Sequence, residues 1–158
     1  MSKPAEGFSR IAVGIDFSPS SLYALEVART RFPGAEILLL HTVDVRLTAS
    51  PDIMGGMTPM SYDPALMESV EKSDGQQLAS LVREGESHEQ LVGEPVNSLL
   101  DAVREWQADL LIVGTHARGP LEHFFLGSTA EKLVARSHVP VLTVRLPRKP
   151  RAEQGTPR

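Results

Sequence analysis

Runs of consecutive apolar residues alternate along this chain with stretches whose apolar positions recur every three or four residues. The first run, Ile11 to Ile15, ends at Asp16. Phe17-Ser18-Pro19 then turns the chain into a helix, with Ser18 as N-cap and Pro19 at the first helical position. Leu22, Leu25, Ala28 and Phe32 fall on one face of that helix, and Pro33-Gly34 ends it. Ile37 to Leu40 is the second apolar run and continues through His41-Thr42-Val43 to Asp44. Asp63-Pro64 repeats the cap-plus-proline start, and Leu66 or Met67, Val70, Leu78, Leu81 and Val82 line a helix to about Glu84. Asp74-Gly75 weakens its middle, since glycine there costs roughly 1 kcal/mol against alanine. His88 to Val92 reads as a short, poorly patterned third strand. Gly93-Glu94-Pro95 opens a third helix with Val96, Leu99, Leu100, Val103 and Trp106 as its stripe. Leu110 to Val113 is the fourth strand, and the fourth helix runs from Ser128 to about Ser137. Val139 to Val144 is the fifth strand, and its Pro140 requires an edge position or a place at the strand start.

Five strands alternating with four helices predict an α/β fold, an open doubly wound sheet in a single domain over residues 8–146. Runs that are apolar at every position are the mark of parallel strands covered on both faces. Two segments fall outside the pattern. Asp44 to Asp63 lacks periodicity, and a loop of that length is either a mobile insertion or a lid. Residues 147–158 carry proline, glycine and charge without an apolar anchor, which predicts a disordered tail.

Composition narrows the function classes. The chain has 158 residues, 41% hydrophobic and 23% charged, in the ordinary globular range. Its net charge of -4 argues against nucleic-acid binding, which wants a basic surface. With no cysteine there is no disulfide and no thiolate chemistry. No apolar run approaches the roughly 20 residues that span a bilayer, and the N-terminus lacks the apolar core of a signal peptide. A cytoplasmic protein without a membrane partner is the expectation.

Candidate chemistry concentrates after the fourth strand. The loop beginning at Gly114 follows a buried strand, at the sheet end where open α/β folds bind ligands. It closes on Gly127-Ser128, and Ser128-x-x-Glu131 has the spacing of a capping box. A helix start offers free N–H groups and a positive dipole end to an anion, although Gly127-Ser128 also fits an ordinary capped start. Two enzyme classes drop out. Gly114-x-x-x-x-Gly119 has the glycine spacing of a P-loop, but Pro120-Leu121 replaces the lysine and hydroxyl that a P-loop needs. No Gly-x-Gly-x-x-Gly follows any strand. His41, His116 and His123 lack a ligand spacing such as two histidines four apart on a helix, and no acidic partner is expected beside them, so no metal site is expected. His116 and Arg118 instead offer phosphate donors, and Phe124, Phe125 and Leu126 read as an apolar anchor for the loop. Asp16, before Ser18-Pro19, has the position of a turn-capping aspartate.

From Ile11 to Val144 the chain resembles the universal stress protein family. The resemblance rests on Ile-Ala-Val-Gly-Ile-Asp-Phe-Ser, Leu-Leu-Leu-His-Thr-Val-Asp, Gly-Glu-Pro, Ala-Asp-Leu-Leu-Ile-Val-Gly-Thr-His and Val-Pro-Val-Leu-Thr-Val. The ATP-binding branch of the family carries Gly, two residues, Gly, nine residues, then Gly-Ser or Gly-Thr. Gly114, Ala117 and Gly127-Ser128 occupy those places, with alanine for the second glycine. The resemblance implies a strand order 3-2-1-4-5, with helices on both faces, and an adenine nucleotide as ligand. By position, Asp16 and the backbone at Thr42 would meet the adenine, and the backbone at Ile15, Val113 and Gly114 the nucleoside. Ala117, Gly127, Ser128 and Thr129 would meet the phosphates, which would carry any Mg or Mn. The resemblance further implies a homodimer through the Val139–Val144 edge strand. A stress-response regulator that binds ATP is the reading this favours, with no catalytic residues assigned. Two alternatives stay open: a nucleotide-independent dimeric interaction module, and a slow ATPase or self-phosphorylating protein.

Overall fold

The computed structural model describes residues 7–45, 49–50, 61–115 and 126–147. Its elements in chain order are β1 (Arg10–Gly14), α1 (Pro19–Arg31), β2 (Glu36–Asp44), β3 (Ala49–Ser50) and β4 (Ser61–Tyr62). These are followed by α2 (Pro64–Leu81), β5 (Ser87–Gly93), α3 (Pro95–Glu105), β6 (Leu110–Gly114), α4 (Ser128–Arg136) and β7 (Val141–Val144). Five strands form one parallel sheet in the order β5-β2-β1-β6-β7. This is the expected order 3-2-1-4-5. The chain leaves β1 in both directions, through β2 to β5 and through β6 to β7, so β1 and β6 flank the switch point.

Alternation along the strands divides the core in two. Ile11, Val13, Ile15, Leu39 and Ile112 face α1 and α2, where they meet Ala24, Leu25, Ala28 and Leu78. Ala12, Leu38, Leu40, Leu111 and Val113 face α3 and α4, where they meet Leu99, Val103 and Leu133. Burial on both faces explains why the central strands are apolar at every position. β5 lies at an edge and is mostly exposed, with Val92 51% accessible, which is why its pattern is poor. It nonetheless pairs with β2 over seven residues, Leu38 opposite Ser87 through Asp44 opposite Gly93.

Three helices begin as their sequences predict. Ser18 accepts from the Ser21 N–H, Asp63 from Ala65 and Leu66, and Glu94 from Val96 and Asn97, each followed by proline at the first helical position. α4 differs. Its N-cap is Gly127, with no side-chain cap, and Ser128 is its first helical residue, so the expected capping box is not formed.

On the face expected for α1, Leu25 and Ala28 are buried and Phe32 packs on the core, and one position is corrected. Leu22 is exposed, and the buried residues are Ser20, Ser21, Ala24, Leu25 and Ala28. Small residues are required because the first turn of α1 lies against Gly114. A Cβ there would fall 2.5 Å from the Ser20 carbonyl carbon and 2.6 Å from the Ser21 nitrogen. β7 starts at Val141, after Pro140, whose carbonyl accepts from the Leu111 N–H at 3.0 Å. Proline thus stands just before an edge strand, where its missing donor does no harm. Within the stretch from Asp44 to Asp63, expected to lack any element, β3 and β4 form a two-residue antiparallel ladder. Residues 46–48 and 51–60 of that segment, and residues 148–158 of the tail, lie outside the described residues.

Candidate functional site

Parallel strands carry their carboxyl ends on one side of the sheet, and at a switch point the adjoining loops diverge and leave a crevice. Such a cavity, of about 350 Å³, lies at the ends of β1, β2 and β6, within the size range of small-molecule sites. Gly14, Ile15 and Asp16 line it from β1, and Leu40, His41, Thr42 and Asp44 from β2. Val113 and Gly114 close it from β6, while Pro95 and Leu99 of α3 form an apolar wall. Gly127, Ser128 and Thr129 bring the start of α4 to its rim. Eight residues chosen from sequence therefore surround one cavity: Ile15, Asp16, Thr42, Val113, Gly114, Gly127, Ser128 and Thr129. Ala117, His116 and Arg118, with His123, Phe124 and Phe125, lie outside the described residues. Leu126 packs against the core on the α3 and α4 side.

The two ends of the cavity have opposite polarity. Asp16 and Asp44 bring carboxylates to the ends of β1 and β2. Across from them, α4 begins without a side-chain cap, and its first intrahelical bond runs from the Glu131 N–H to the Gly127 carbonyl at 2.9 Å. The N–H groups of the first turn point out of the helix, in the geometry that favours anions. Asp16 also has a structural role: its Oδ1 accepts from the Ser18 N–H at 2.9 Å and from the Ser18 hydroxyl. This turn holds Phe17 at φ 62°, a left-handed conformation that is costly for a residue with a Cβ.

Sequence reasoning missed the partner of His41. This histidine is buried, 7% exposed, and its Nε2 lies 3.0 Å from Asp74 Oδ2 on α2. The expectation that no acidic residue stands beside it is therefore corrected: the two are 33 residues apart in sequence and adjacent across the β2–α2 contact. Its Nδ1 donates to the Ile15 carbonyl at 2.7 Å, and the Phe17 ring packs on the imidazole with centroids 4.6 Å apart. The signal was present in the sequence as two anomalies, a histidine inside an apolar strand and an aspartate in mid-helix. Each is explained by the other. Gly75, next to Asp74, makes room for Gln90: a Cβ would lie 2.8 Å from Gln90 Oε1, and Gln90 Nε2 donates to the Glu71 carbonyl at 2.9 Å.

Three further observations bear on function. The hydroxyl of Thr42 is buried and has no hydrogen-bond partner among the described residues. No group of three His, Cys, Asp or Glu side chains among the described residues could hold a metal ion. No helix among them is long and apolar enough to cross a membrane.

Comparisons with known proteins agree with this architecture. The family model described as the universal stress protein family matches residues 7–145. Universal stress protein MJ0531 of Methanocaldococcus jannaschii is 29% identical over 153 residues, covering 90% of this chain and 85% of its own. A universal stress protein of Thermus aquaticus, encoded 3′ of a QAH/OAS sulfhydrylase, is 30% identical over 143 residues, with 87% and 99% covered. Among solved structures, protein MJ0577 superposes with a TM-score of 0.72 at 21% identity, over 89% of this chain and 98% of that one. A universal stress protein in complex with cAMP gives 0.54 at 22% identity, with 87% and 97% covered. One from Archaeoglobus fulgidus in complex with dAMP gives 0.53 at 19%, with 86% and 97% covered. The sheet order, the crevice at its switch point and a family match over nearly the whole chain all lead to one assignment: the chain belongs to the universal stress protein family.

Proposed function

We propose that this chain binds an adenine nucleotide, ATP or a relative of it, in the switch-point cavity and acts as a stress-response regulator rather than a dedicated enzyme. The observation that carries this reading is the polarity of the cavity: carboxylates of β1 and β2 at one end, the uncapped start of α4 at the other, and apolar walls between. A nucleotide has the complementary order. Its base and ribose carry N–H and O–H donors that suit carboxylates, and its phosphates suit helix N–H groups. The complexes of two structural neighbours with cAMP and dAMP favour the same ligand class.

In this assignment Leu99 and Leu40 flank the base, while Asp16 and the Thr42 backbone read its edge. The Ile15, Val113 and Gly114 backbone borders the ribose. Gly127, Ser128 and Thr129 receive the phosphates, with Ala117, His116 and Arg118 as further phosphate contacts. Any Mg or Mn would be carried by the phosphates. Occupancy would change the exposed surface around α4 and so the choice of partner. The outer edge of β7 is the proposed homodimer contact, since an edge strand offers unpaired backbone groups to a second copy.

Denaturing the purified protein and recording the released absorbance near 260 nm, followed by titration with ATP with and without Mg, tests the assignment. Saturable binding that is lost in Gly127→Val is expected. Absence of binding in both conditions would refute it and leave the nucleotide-independent module.

A further inference from the structure

Backbone groups in a parallel sheet alternate sides, so every second residue of a strand bonds the same neighbour. The Leu40 carbonyl accepts from the Ile15 N–H at 2.7 Å, which makes Leu40 a residue that bonds toward β1. Thr42, two residues on, presents its N–H and carbonyl to the same side, level with Asp16. There the β1–β2 register has already ended, at Gly14 opposite Leu40. In a continued ladder the next rung would run from the Thr42 N–H to the Ile15 carbonyl. That carbonyl instead accepts from His41 Nδ1 at 2.7 Å.

We propose that His41, oriented by Asp74, is a positioning residue of the cavity: it takes the Ile15 carbonyl out of the ladder and leaves the Thr42 N–H for a ring-nitrogen acceptor of the bound base. The identity of that ligand rests on the nucleotide reading above; the positioning geometry does not. Three contacts fix the imidazole. Asp74 holds Nε2 at 3.0 Å, the Ile15 carbonyl holds Nδ1, and the Phe17 ring covers one face. A carbonyl can only accept, so Nδ1 is the donor there. The ring therefore acts as a side-chain substitute for one rung of the sheet. An N–H that lines the cavity and has no rung to close is a ready donor, so a ligand nitrogen that accepts from it gains a hydrogen bond. The ligand class follows: a planar heterocycle with an acceptor nitrogen on the edge that faces β2.

The test uses the full chain and its His41→Leu, His41→Asn and Asp74→Ala variants. Leucine removes the donor, frees the Ile15 carbonyl and lets the Thr42 N–H close the ladder. Asparagine keeps a donor near the Nδ1 position. ATP affinity should fall about tenfold in His41→Leu, the size expected for one lost hydrogen bond and a closed donor, and should return to within about threefold in His41→Asn. Asp74→Ala should lie between them. Inorganic triphosphate, which has no base, should bind wild type and His41→Leu equally. Equal loss for ATP and triphosphate would mean general damage and would overturn the proposal, as would unchanged ATP affinity in His41→Leu or no recovery in His41→Asn.

Amide exchange at Thr42 supplies a readout independent of any nucleotide. The Thr42 N–H should exchange fast in wild type and slow in His41→Leu. Slow exchange in wild type would overturn the proposal even if ATP binds. Fast wild-type exchange without ATP binding would refute the nucleotide reading alone.

Discussion

A methyl group at Gly114 would lie 2.5 Å from the backbone of Ser20, closer than carbon atoms can approach. The glycine at the head of the family's spacing is thus required here by the packing of α1, before any ligand is considered. Neither partner is a flexible side chain, so Gly114→Ala should destabilise the protein by about 3 kcal/mol, at the upper end of overpacking costs. A denaturant titration that finds less than about 1 kcal/mol would contradict the packing. Thr42 gives the opposite sign. Its buried hydroxyl lacks a partner among the described residues, and valine has the same shape without the polar atom. Thr42→Val should raise stability by about 1 kcal/mol in the absence of ligand. A loss of stability in the same titration would show that the hydroxyl is satisfied.

Elements were legible where local signals and packing agree. The cap-plus-proline starts of α1, α2 and α3 depend on neighbouring residues only, so the sequence shows them directly. The start of α4 was misread because Ser128-x-x-Glu131 matches a capping box while the chain turns one residue earlier, at Gly127. Leu22 of α1 was misplaced because the first turn lies on a backbone surface at Gly114, which selects small residues over leucine. Asp74-Gly75 looked like a flaw in α2 because both residues answer to tertiary partners, His41 and Gln90. This pair yields a prediction. In wild type, Gly75→Ala gains about 1 kcal/mol of helix propensity but displaces Gln90, and the two effects nearly cancel. In a Gln90→Ala background the same substitution should stabilise by the full ~1 kcal/mol. Equal effects in both backgrounds, read from thermal melts, would remove Gln90 as the reason for the glycine.

Across the whole molecule, two carboxylates tie distant segments together. Glu86 accepts two bonds from Arg29 of α1, both 2.7 Å, and one from the Arg83 N–H at 2.9 Å. Burial pushes its carboxyl up, but the hydrogen-bonded Arg29 guanidinium and the Arg83 N–H, with both charges, hold it below its ordinary value. Burial likewise raises Asp109, and the N–H groups of Ser9 and Arg10 with the Ser9 hydroxyl bring it below its usual range. Both groups bind protons less readily folded than unfolded. Their stabilisation is complete above the unfolded values, about pH 4, and is lost as pH falls through the depressed folded values. Unfolding followed against pH should show this acid loss, and Glu86→Gln with Asp109→Asn should flatten it. An unchanged slope in the double variant would contradict the assignment. The fold class was readable because five strands alternating with four helices admit few topologies, and the strand order followed from the family resemblance. The candidate site was readable in part. Its residues come from the ends of β1, β2 and β6 and the start of α4, and only the family spacing linked them. The His41–Asp74 contact spans two elements without a shared motif.

The central claim is that the switch-point cavity is a nucleotide site anchored at the start of α4. Calorimetric titration of the full chain with ATP, beside Gly127→Val, addresses it most directly. Saturable binding to about one site per chain, abolished by Gly127→Val in a variant that retains the wild-type melting temperature, is the predicted result. No heat of binding in wild type, or undiminished binding in a folded Gly127→Val, would contradict it.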